Sequence, residues 1–294
     1  MSSTNPNVKM VDSHTGTATT GHEWDGIQEL NTPLPRWWLV ILYATIVWSV
    51  GYVFVYPAIP MISSFTQGMF GWSSRGDVAS ELNALKALRG PMVSALGGAS
   101  LADIERDPKL LTFARAQGKA AFGDNCAPCH GAGGGGSKGF ANLNDDDWLW
   151  GGKAEDIQQT IAFGIRSGHP KGREGSMPAF GRDGILKSAE VSQVADFVRS
   201  LSGLSTEASF DKAAGAKIFE ENCAACHGSD GKGNVETGAP NLTDKIWLWS
   251  SDKATIVEGL TNGRGNVMPA WVDRLDDTTI KALTVYVHTL GGGK

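Results

Sequence analysis

All four cysteines of the chain stand in two copies of one short motif. In each copy two residues separate the cysteines and a histidine follows directly: Cys126, Cys129 and His130, then Cys223, Cys226 and His227. This C-x-x-C-H spacing is the attachment signature of c-type haem. Two thiols on one helical turn reach the two vinyl groups of one porphyrin, and the adjacent histidine meets the iron. The pattern predicts two covalently attached haem c groups.

A single C-x-x-C-H motif also occurs in zinc sites and in redox dithiols. Here the motif is repeated after 97 residues, and each copy is followed by Met-Pro-Ala and an aromatic residue. A zinc or dithiol interpretation does not account for that second, matched feature. Structural disulfides also fit poorly, because each cysteine pair is too local to constrain much of the chain.

The matched methionines supply a candidate for the second axial position of each haem iron. Met177 lies 47 residues after His130, and Met268 lies 41 residues after His227. A buried methionine usually fills space in a core, but His/Met ligation is a standard c-type arrangement. We therefore predict both methionines as iron ligands. Spacing favours ligation within each copy of the repeat, although two tandem copies could exchange their methionines.

Ligation of both faces leaves no open position on either iron. The predicted chemistry is therefore one-electron transfer at low-spin haems, without a catalytic residue or an oxygen-reducing site in this chain. Thioether ligation in an apolar shell raises the reduction potential.

Two homologous helical segments must position these residues. The copies share Asn-Leu…Trp-Leu-Trp after the cysteine motif, and each begins and ends with a helical pattern. The predicted helices are 108–123 and 188–201 in the first copy, then 211–221 and 277–290 in the second. We expect cytochrome c domains at 107–203 and 210–294, tryptophans 148, 150, 247 and 249 in their cores, and a solvated loop at Asp145–Asp147. His169 and His288 are expected to be surface or interdomain polar residues.

A 20-residue segment without charge, residues 37–56, precedes the repeat and carries aromatic residues at both ends. Such a helix is about 30 Å long and matches the bilayer core. We predict one transmembrane helix between an N-terminal segment, 1–36, and a connector, 57–106. Lys9 and Arg36 favour a cytoplasmic N-terminus. The net charge of −5 disfavours nucleic-acid binding.

The assembled pattern resembles the CcoP/FixP family, the dihaem subunit III of cbb3-type cytochrome c oxidases. The resemblance rests on Gly21–Trp38 (GHEWDGIQELNTPLPRWW), on Phe113–Gly131 (FARAQGKAAFGDNCAPCHG) and on the second haem segment with its MPAW. It implies an all-α fold with one transmembrane helix followed by two tandem class I cytochrome c domains. Similarity to small c-type cytochromes also implies that the ring nitrogens of His130 and His227 bond to the backbone carbonyls of Ala141 and Pro240.

The resemblance further implies a respiratory role in the bacterial inner membrane, with periplasmic haem domains. Such a subunit takes electrons from a cytochrome c donor and passes them through a monohaem cytochrome c subunit to a catalytic haem b/copper subunit, in a proton-pumping complex of aerobic or microaerobic respiration. A free-standing membrane dihaem cytochrome c serving other reductases is the main alternative. A dihaem peroxidase or gas sensor would need an open iron position, which Met177 and Met268 argue against.

Overall fold

The computed structural model describes residues 10–291, and the chain divides into two compact units, residues 1–86 and 87–294. Lys9, used above to orient the membrane helix, lies outside the described residues. The first unit opens with an antiparallel hairpin of β1 (Thr19–Trp24) and β2 (Ile27–Leu30). Its turn residues, Asp25 and Gly26, both have positive φ angles of 50° and 84°. Asp-Gly suits such a tight turn. Within residues 10–291 this two-stranded sheet is the one departure from the all-α expectation.

Helix α1, Arg36–Val55, follows the hairpin. It is the one helix among residues 10–291 that is long and apolar enough to cross a membrane, and none of its residues is buried in the chain. Helix α1 coincides with the predicted segment, 37–56, with a shift of one residue. Pro35 precedes the helix and Pro57 follows its cap, in keeping with the poor fit of proline inside a helix.

Ten further helices follow. Their bounds are α2 Ser74–Gly98, which begins in the first unit and ends in the second, α3 Leu101–Arg106, α4 Pro108–Asn125, α5 Ala127–His130, α6 Ala154–Phe163, α7 Ser188–Leu201, α8 Lys212–Asn222, α9 Ala224–His227, α10 Lys253–Asn262 and α11 Asp277–His288. The four predicted helices of the repeat are all present, with ends within two residues of those expected.

Aspartates begin the long helix of each repeat copy. Asp107 accepts hydrogen bonds from two backbone N–H groups of α4, and Asp211 does the same for α8. A carboxylate in this position satisfies donors that have no partner within the helix and complements the helix dipole. The local sequence thus fixes where α4 and α8 begin, and with them the cysteine motifs at their ends.

The long helices pair across the repeat. Helix α4 of the first copy packs against α11 of the second, and α8 of the second copy packs against α7 of the first. The shorter helices follow the same rule, because α6 packs on α11 and α10 on α7. Each core therefore combines segments from both copies.

Glycines at matching positions allow these two crossings. A Cβ on Gly118 of α4 would lie 2.6 Å from the Tyr286 Cβ of α11, and one on Gly215 of α8 would lie 2.9 Å from the Phe197 Cβ of α7. Both distances are shorter than van der Waals contact, so a side chain at either glycine would force the helices apart.

The end of the predicted connector belongs to the second unit's core. Leu96 and Ile104 are fully buried, together with Ala282 and Val285 of α11. Lys281 of α11 donates hydrogen bonds to the carbonyl oxygens of Gly97 and Ala99, at 2.6 and 2.9 Å. The end of the connector thus packs on α11, in a buried cluster that also includes Ala154 of α6.

Candidate haem sites

Each cysteine motif forms a single helical turn at the end of a long helix. The N–H groups of Cys129 and His130 both donate to the Cys126 carbonyl, at 3.1 and 2.9 Å. The N–H groups of Cys226 and His227 bond to the Cys223 carbonyl in the same way. One turn of helix brings residues three apart to one face, so both thiols of a motif are directed to the same side.

The ring of each histidine is held by the carbonyl expected from the sequence. His130 Nδ1 lies 2.9 Å from the Ala141 oxygen, and His227 Nδ1 lies 3.0 Å from the Pro240 oxygen. Both predictions are confirmed. A carbonyl can only accept, so Nδ1 carries the proton and Nε2 keeps its lone pair for a metal. Burial also lowers the pKa of His227, despite the bond to Pro240, which favours the neutral, ligating form.

Two glycines that sequence reasoning missed make these bonds possible. Gly136 and Gly233 have φ angles of 66° and 83°, and a Cβ on either would lie 2.7 Å from the carbonyl carbon of Ala141 or Pro240 respectively. The two glycines are 97 residues apart, as the two cysteine motifs are, and this shared spacing could have revealed them.

The two methionines lie in the opposite cores from those favoured by spacing. Met177 packs against the core that contains Cys223 and Phe219. Met268 packs against the core around Phe122, on which Cys126 also packs. The structure therefore brings each cysteine motif together with the methionine of the other repeat copy.

Backbone pairing fixes both exchanged segments. Met268 and Ile165 exchange two backbone hydrogen bonds of 2.9 and 3.0 Å, and Met177 and Arg264 exchange two of 2.9 and 3.1 Å. Gly164 and Gly263, which precede Ile165 and Arg264, lie so close to the methionine carbonyls that a Cβ at either would clash. Each methionine is thus held by a short antiparallel bridge to the opposite copy.

Arginine–tryptophan pairs form a second feature that the sequence did not reveal. Arg173 lies over the Trp150 ring and donates to the Asp156 carbonyl, and Arg264 lies over Trp249 and donates to the Thr255 carbonyl. Asp156 and Thr255 are equivalent in the repeat, and each arginine stands four residues before the methionine of its own copy. Eight extra residues before Met177 conceal the correspondence.

The acidic loop is only partly exposed to solvent. Asp146 is exposed, but Asp147 is half-buried, and burial, followed by repulsion from Asp244 and Asp145, raises the pKa of Asp147 to about 6. The expectation of a solvated loop is therefore wrong for Asp147. The tryptophans expected in the cores are buried or half-buried.

His169 and His288, which follow the first cysteine motif outside the haem motifs, make polar or ring contacts. His169 stacks on Phe163 with 4.8 Å between ring centroids. His288 Nδ1 lies 2.5 Å from Glu105 Oε1. Neither histidine is near a cysteine motif in sequence, and each has a partner of its own.

The donor set fits haem c better than zinc or a dithiol. The four cysteines are free thiols, and within residues 10–291 no group of three or more His, Cys, Asp or Glu side chains could hold a metal ion. Burial, followed by repulsion from the partner cysteine, raises the pKa of Cys126 and of Cys223 to about 11. A redox dithiol needs a lowered pKa. Two thiols, a free imidazole nitrogen and a thioether are what a haem c site requires.

Three family models match the chain. Residues 16–63 match the N-terminal domain of cytochrome oxidase-cbb3, FixP, residues 115–202 match cytochrome c, and residues 210–287 match cytochrome C oxidase, cbb3-type, subunit III. The matches cover the hairpin, the apolar helix and both copies of the repeat.

Full-length relatives agree with the models. The chain is 67% identical to the cbb3-type cytochrome c oxidase subunit FixP of Bradyrhizobium sp., over 97% of this chain and 98% of that protein. Identity is 65% to the FixP subunit of Bradyrhizobium diazoefficiens, over 96% and 98%, and 49% to the CcoP subunit of Azospirillum brasilense, over 97% and 99%. The chain, a candidate membrane helix followed by two cytochrome c domains, belongs to the CcoP/FixP family of cbb3-type cytochrome c oxidase subunits.

Proposed function

We propose that this chain binds two covalently attached haem c groups and transfers electrons from a cytochrome c donor to the oxygen-reducing core of a cbb3-type oxidase. One observation carries the proposal: each cysteine motif ends in a histidine whose Nδ1 is fixed by a backbone carbonyl. That hydrogen bond orients the ring and leaves Nε2 free, which is the arrangement expected of a proximal haem ligand. When bound, haem iron supplies a site that gains and loses one electron.

The chain's own residues set what such a site can do. Cys126 and Cys129, or Cys223 and Cys226, would hold the porphyrin by thioether bonds, and the neighbouring histidine would provide one axial ligand. The apolar cores around Phe122 and Phe219 exclude water and so disfavour the extra charge of the oxidised iron. A site closed on both faces favours electron transfer over ligand binding.

We further propose that the axial methionines are exchanged. Met268 completes the site of Cys126 and His130, and Met177 completes the site of Cys223 and His227. Two observations support this assignment. Met268 packs on the same core as Cys126, and Met177 packs on the core that contains Cys223. In addition, two backbone bridges hold the methionine segments.

Leucine substitutions in single-haem backgrounds test both proposals. Replacing Cys126 and Cys129 by alanine leaves the haem attached at Cys223 and Cys226. In that background Met177→Leu should abolish the sulfur-to-iron charge-transfer band, lower the reduction potential and allow carbon monoxide to bind. Met268→Leu, which also keeps the side-chain volume, is the matched control and should leave the band in place.

The reverse result would contradict the exchange and restore ligation within each copy. Extraction of both haems from the unmodified chain by acid-acetone would contradict covalent attachment. Stoichiometric binding of carbon monoxide to the unmodified chain would contradict methionine ligation altogether.

We also propose that the N-terminus is cytoplasmic and that both haem domains are periplasmic, as Lys9, Arg36 and the export demand of haem attachment indicate. Protease added to intact spheroplasts should release the haem-bearing part and leave the membrane helix behind. Protection of the haem domains would contradict this orientation.

The specific partners are also proposed: a monohaem cytochrome c subunit and the catalytic haem b/copper subunit. Solubilisation in mild detergent should co-purify both with the haem-loaded chain. Isolation of the chain alone, with full reduction by a soluble cytochrome c, would favour the free-standing cytochrome instead.

A further inference from the structure

One arginine lies where the two methionine segments cross. Arg166 directly follows Ile165, the residue that pairs with Met268. Its Nε donates a hydrogen bond to the Asn266 carbonyl at 2.7 Å, and its Nη1 donates to the Gly175 carbonyl. Asn266 stands two residues before Met268, and Gly175 stands two residues before Met177. A single guanidinium therefore holds the backbone that leads into each methionine.

The backbone at Arg166 is strained. Its φ of 51° lies in the left-handed region, which among the non-glycine residues of the described chain only Asp25 shares. Such a conformation is unfavourable for a residue with a side chain. The equivalent position in the second copy is Gly265, which has no side chain to form such bonds. The chain adopts this strained backbone conformation at Arg166, where the side chain bonds to both methionine segments.

Guanidinium chemistry suits this position. Arginine presents several N–H donors in a rigid planar fork, so Nε and Nη1 can serve two carbonyl acceptors at once. Arg166 is half-buried, where a charge-assisted hydrogen bond is stronger than one in water. Lysine, with a single compact ammonium group, could not reproduce the fixed pair of bonds.

We propose that Arg166 is a positioning residue that holds Met177 and Met268 together, so that one side chain sets the stability of both iron–sulfur contacts. This inference rests on the proposed function, in which the two methionines are axial ligands. Loss of the guanidinium frees the backbone before each methionine, and both distal faces should become easier to open.

Carbon monoxide binding to the reduced, haem-loaded full chain in detergent tests the inference. Arg166→Gln removes the charged fork and keeps a shorter, neutral polar side chain. The rate of carbon monoxide binding should rise about tenfold at both haems, which is the effect of losing one charge-assisted hydrogen bond. The charge-transfer band should weaken at both haems in the oxidised protein. Arg166→Lys should fall between the wild type and Arg166→Gln.

A second variant and a matched control separate positioning from general destabilisation. Arg166→Gly removes the side chain and also relieves the left-handed strain, so it should fold at least as well as Arg166→Gln while showing the same rise at both haems. Arg182→Gln removes an equivalent fork from an exposed arginine whose guanidinium pairs with the neighbouring Asp183, and it should leave both haems unchanged.

The outcomes distinguish this inference from the proposal beneath it. A change at one haem only, or at neither, in Arg166→Gln and Arg166→Gly would overturn the shared role of Arg166. If Met177→Leu and Met268→Leu also leave carbon monoxide binding unchanged, then the methionine ligation itself fails. If each leucine variant opens one haem while the Arg166 variants open none, ligation stands and the inference about Arg166 falls.

Discussion

One glycine near each cysteine motif determines how the histidine of that motif is held. The bond between His130 Nδ1 and the Ala141 carbonyl exists because Gly136 allows the chain to pass that carbonyl at close range. Gly233 has the same role beside Pro240. At this scale the site depends as much on the absence of two side chains as on the presence of the ligands.

Replacement of Gly136 by alanine should therefore weaken the hold on His130. The new Cβ would be strained by the positive φ and would push the Ala141 carbonyl away, with an expected loss of about 1 to 3 kcal/mol of stability. The potential of the haem attached at Cys126 should fall, because its histidine loses a fixed orientation. Redox titration and thermal unfolding measure the two effects. Gly133→Ala, where a Cβ has open space, is the control, and an equal loss there would contradict the explanation.

Asp147 should make stability depend on pH. Burial, then Asp244 and Asp145, raises its pKa from 3.8 to about 6. Because the folded chain binds this proton more tightly than the unfolded chain, the group favours folding in acid, and that contribution is lost as the pH rises through about 6. Asp147→Asn should therefore raise the melting temperature at neutral pH. The gain should be smaller below pH 3.8, the ordinary pKa of this carboxyl group in the unfolded chain. The exposed Asp146→Asn is the control, and an equal gain there would argue against burial as the cause.

Sequence reasoning predicted the haem ligands, which stay predictions, but it did not identify the residues around them. Cysteine, histidine and methionine were recognised because their chemistry is specific, and the Ala141 and Pro240 carbonyls followed from similarity to small cytochromes. Gly136, Arg173 and Arg166 were not found, because glycine and arginine serve many purposes and their roles here depend on contacts between distant segments.

At the scale of elements, the crossing of paired helices organises each core. Phe122 of α4 contacts Tyr286 of α11 with 5.3 Å between ring centroids, and Phe219 of α8 contacts Phe197 of α7 at the same distance. The aromatic pairs lie one turn beyond Gly118 and Gly215. Close approach at the glycine and aromatic packing beyond it therefore recur in both crossings.

Gly118→Ala tests the crossing of α4 and α11. The added methyl group would meet the Ala282 backbone and Tyr286, so we expect a loss of about 1 to 3 kcal/mol from overpacking. Gly123→Ala lies in the same helix with open space around it and should stabilise the protein by up to about 1 kcal/mol. Denaturant unfolding of the haem-loaded chain measures both, and a stabilised Gly118→Ala would contradict the close packing.

Helix positions were predictable from the sequence, but helix partners were not. Asp107 and Pro108 mark the beginning of α4, and the periodic apolar residues give its length. Nothing in the local pattern distinguishes α7 from α11 as its partner, because the two helices are homologous and present similar apolar faces. Only the lengths of the intervening segments and the bridges at Met177 and Met268 separate the two pairings.

At the scale of the second unit, the pairing of helices from different repeat copies brings residues that are far apart in sequence into one core. The hydrogen bond between His288 and Glu105 and the bonds from Lys281 to the carbonyls of Gly97 and Ala99 join residues more than 180 positions apart. By contrast, the core around Cys223 is drawn from the continuous stretch between Met177 and Leu260. That stretch lies between two parts of the core around Cys126.

Hydrogen exchange should reveal this arrangement. Leu283→Ala removes a fully buried side chain of α11, at an expected cost of about 2 to 5 kcal/mol. Amides of α4, far earlier in the chain, should then exchange faster, while those of α8 keep their protection. Val194→Ala in α7 is the matched variant and should expose α8 instead. Faster exchange of α8 in Leu283→Ala would indicate cores built from single copies.

The exchanged helices also set an order for maturation of the protein. During synthesis the Cys126 motif emerges long before α11, so its core stays open on one side until α11 is complete. The core around Cys223 has all its parts sooner and can close while synthesis of α11 is still being completed. The first cysteine motif to be synthesised is thus the last to have a complete core around it. A chain truncated before α11 would therefore lack part of the core at Cys126.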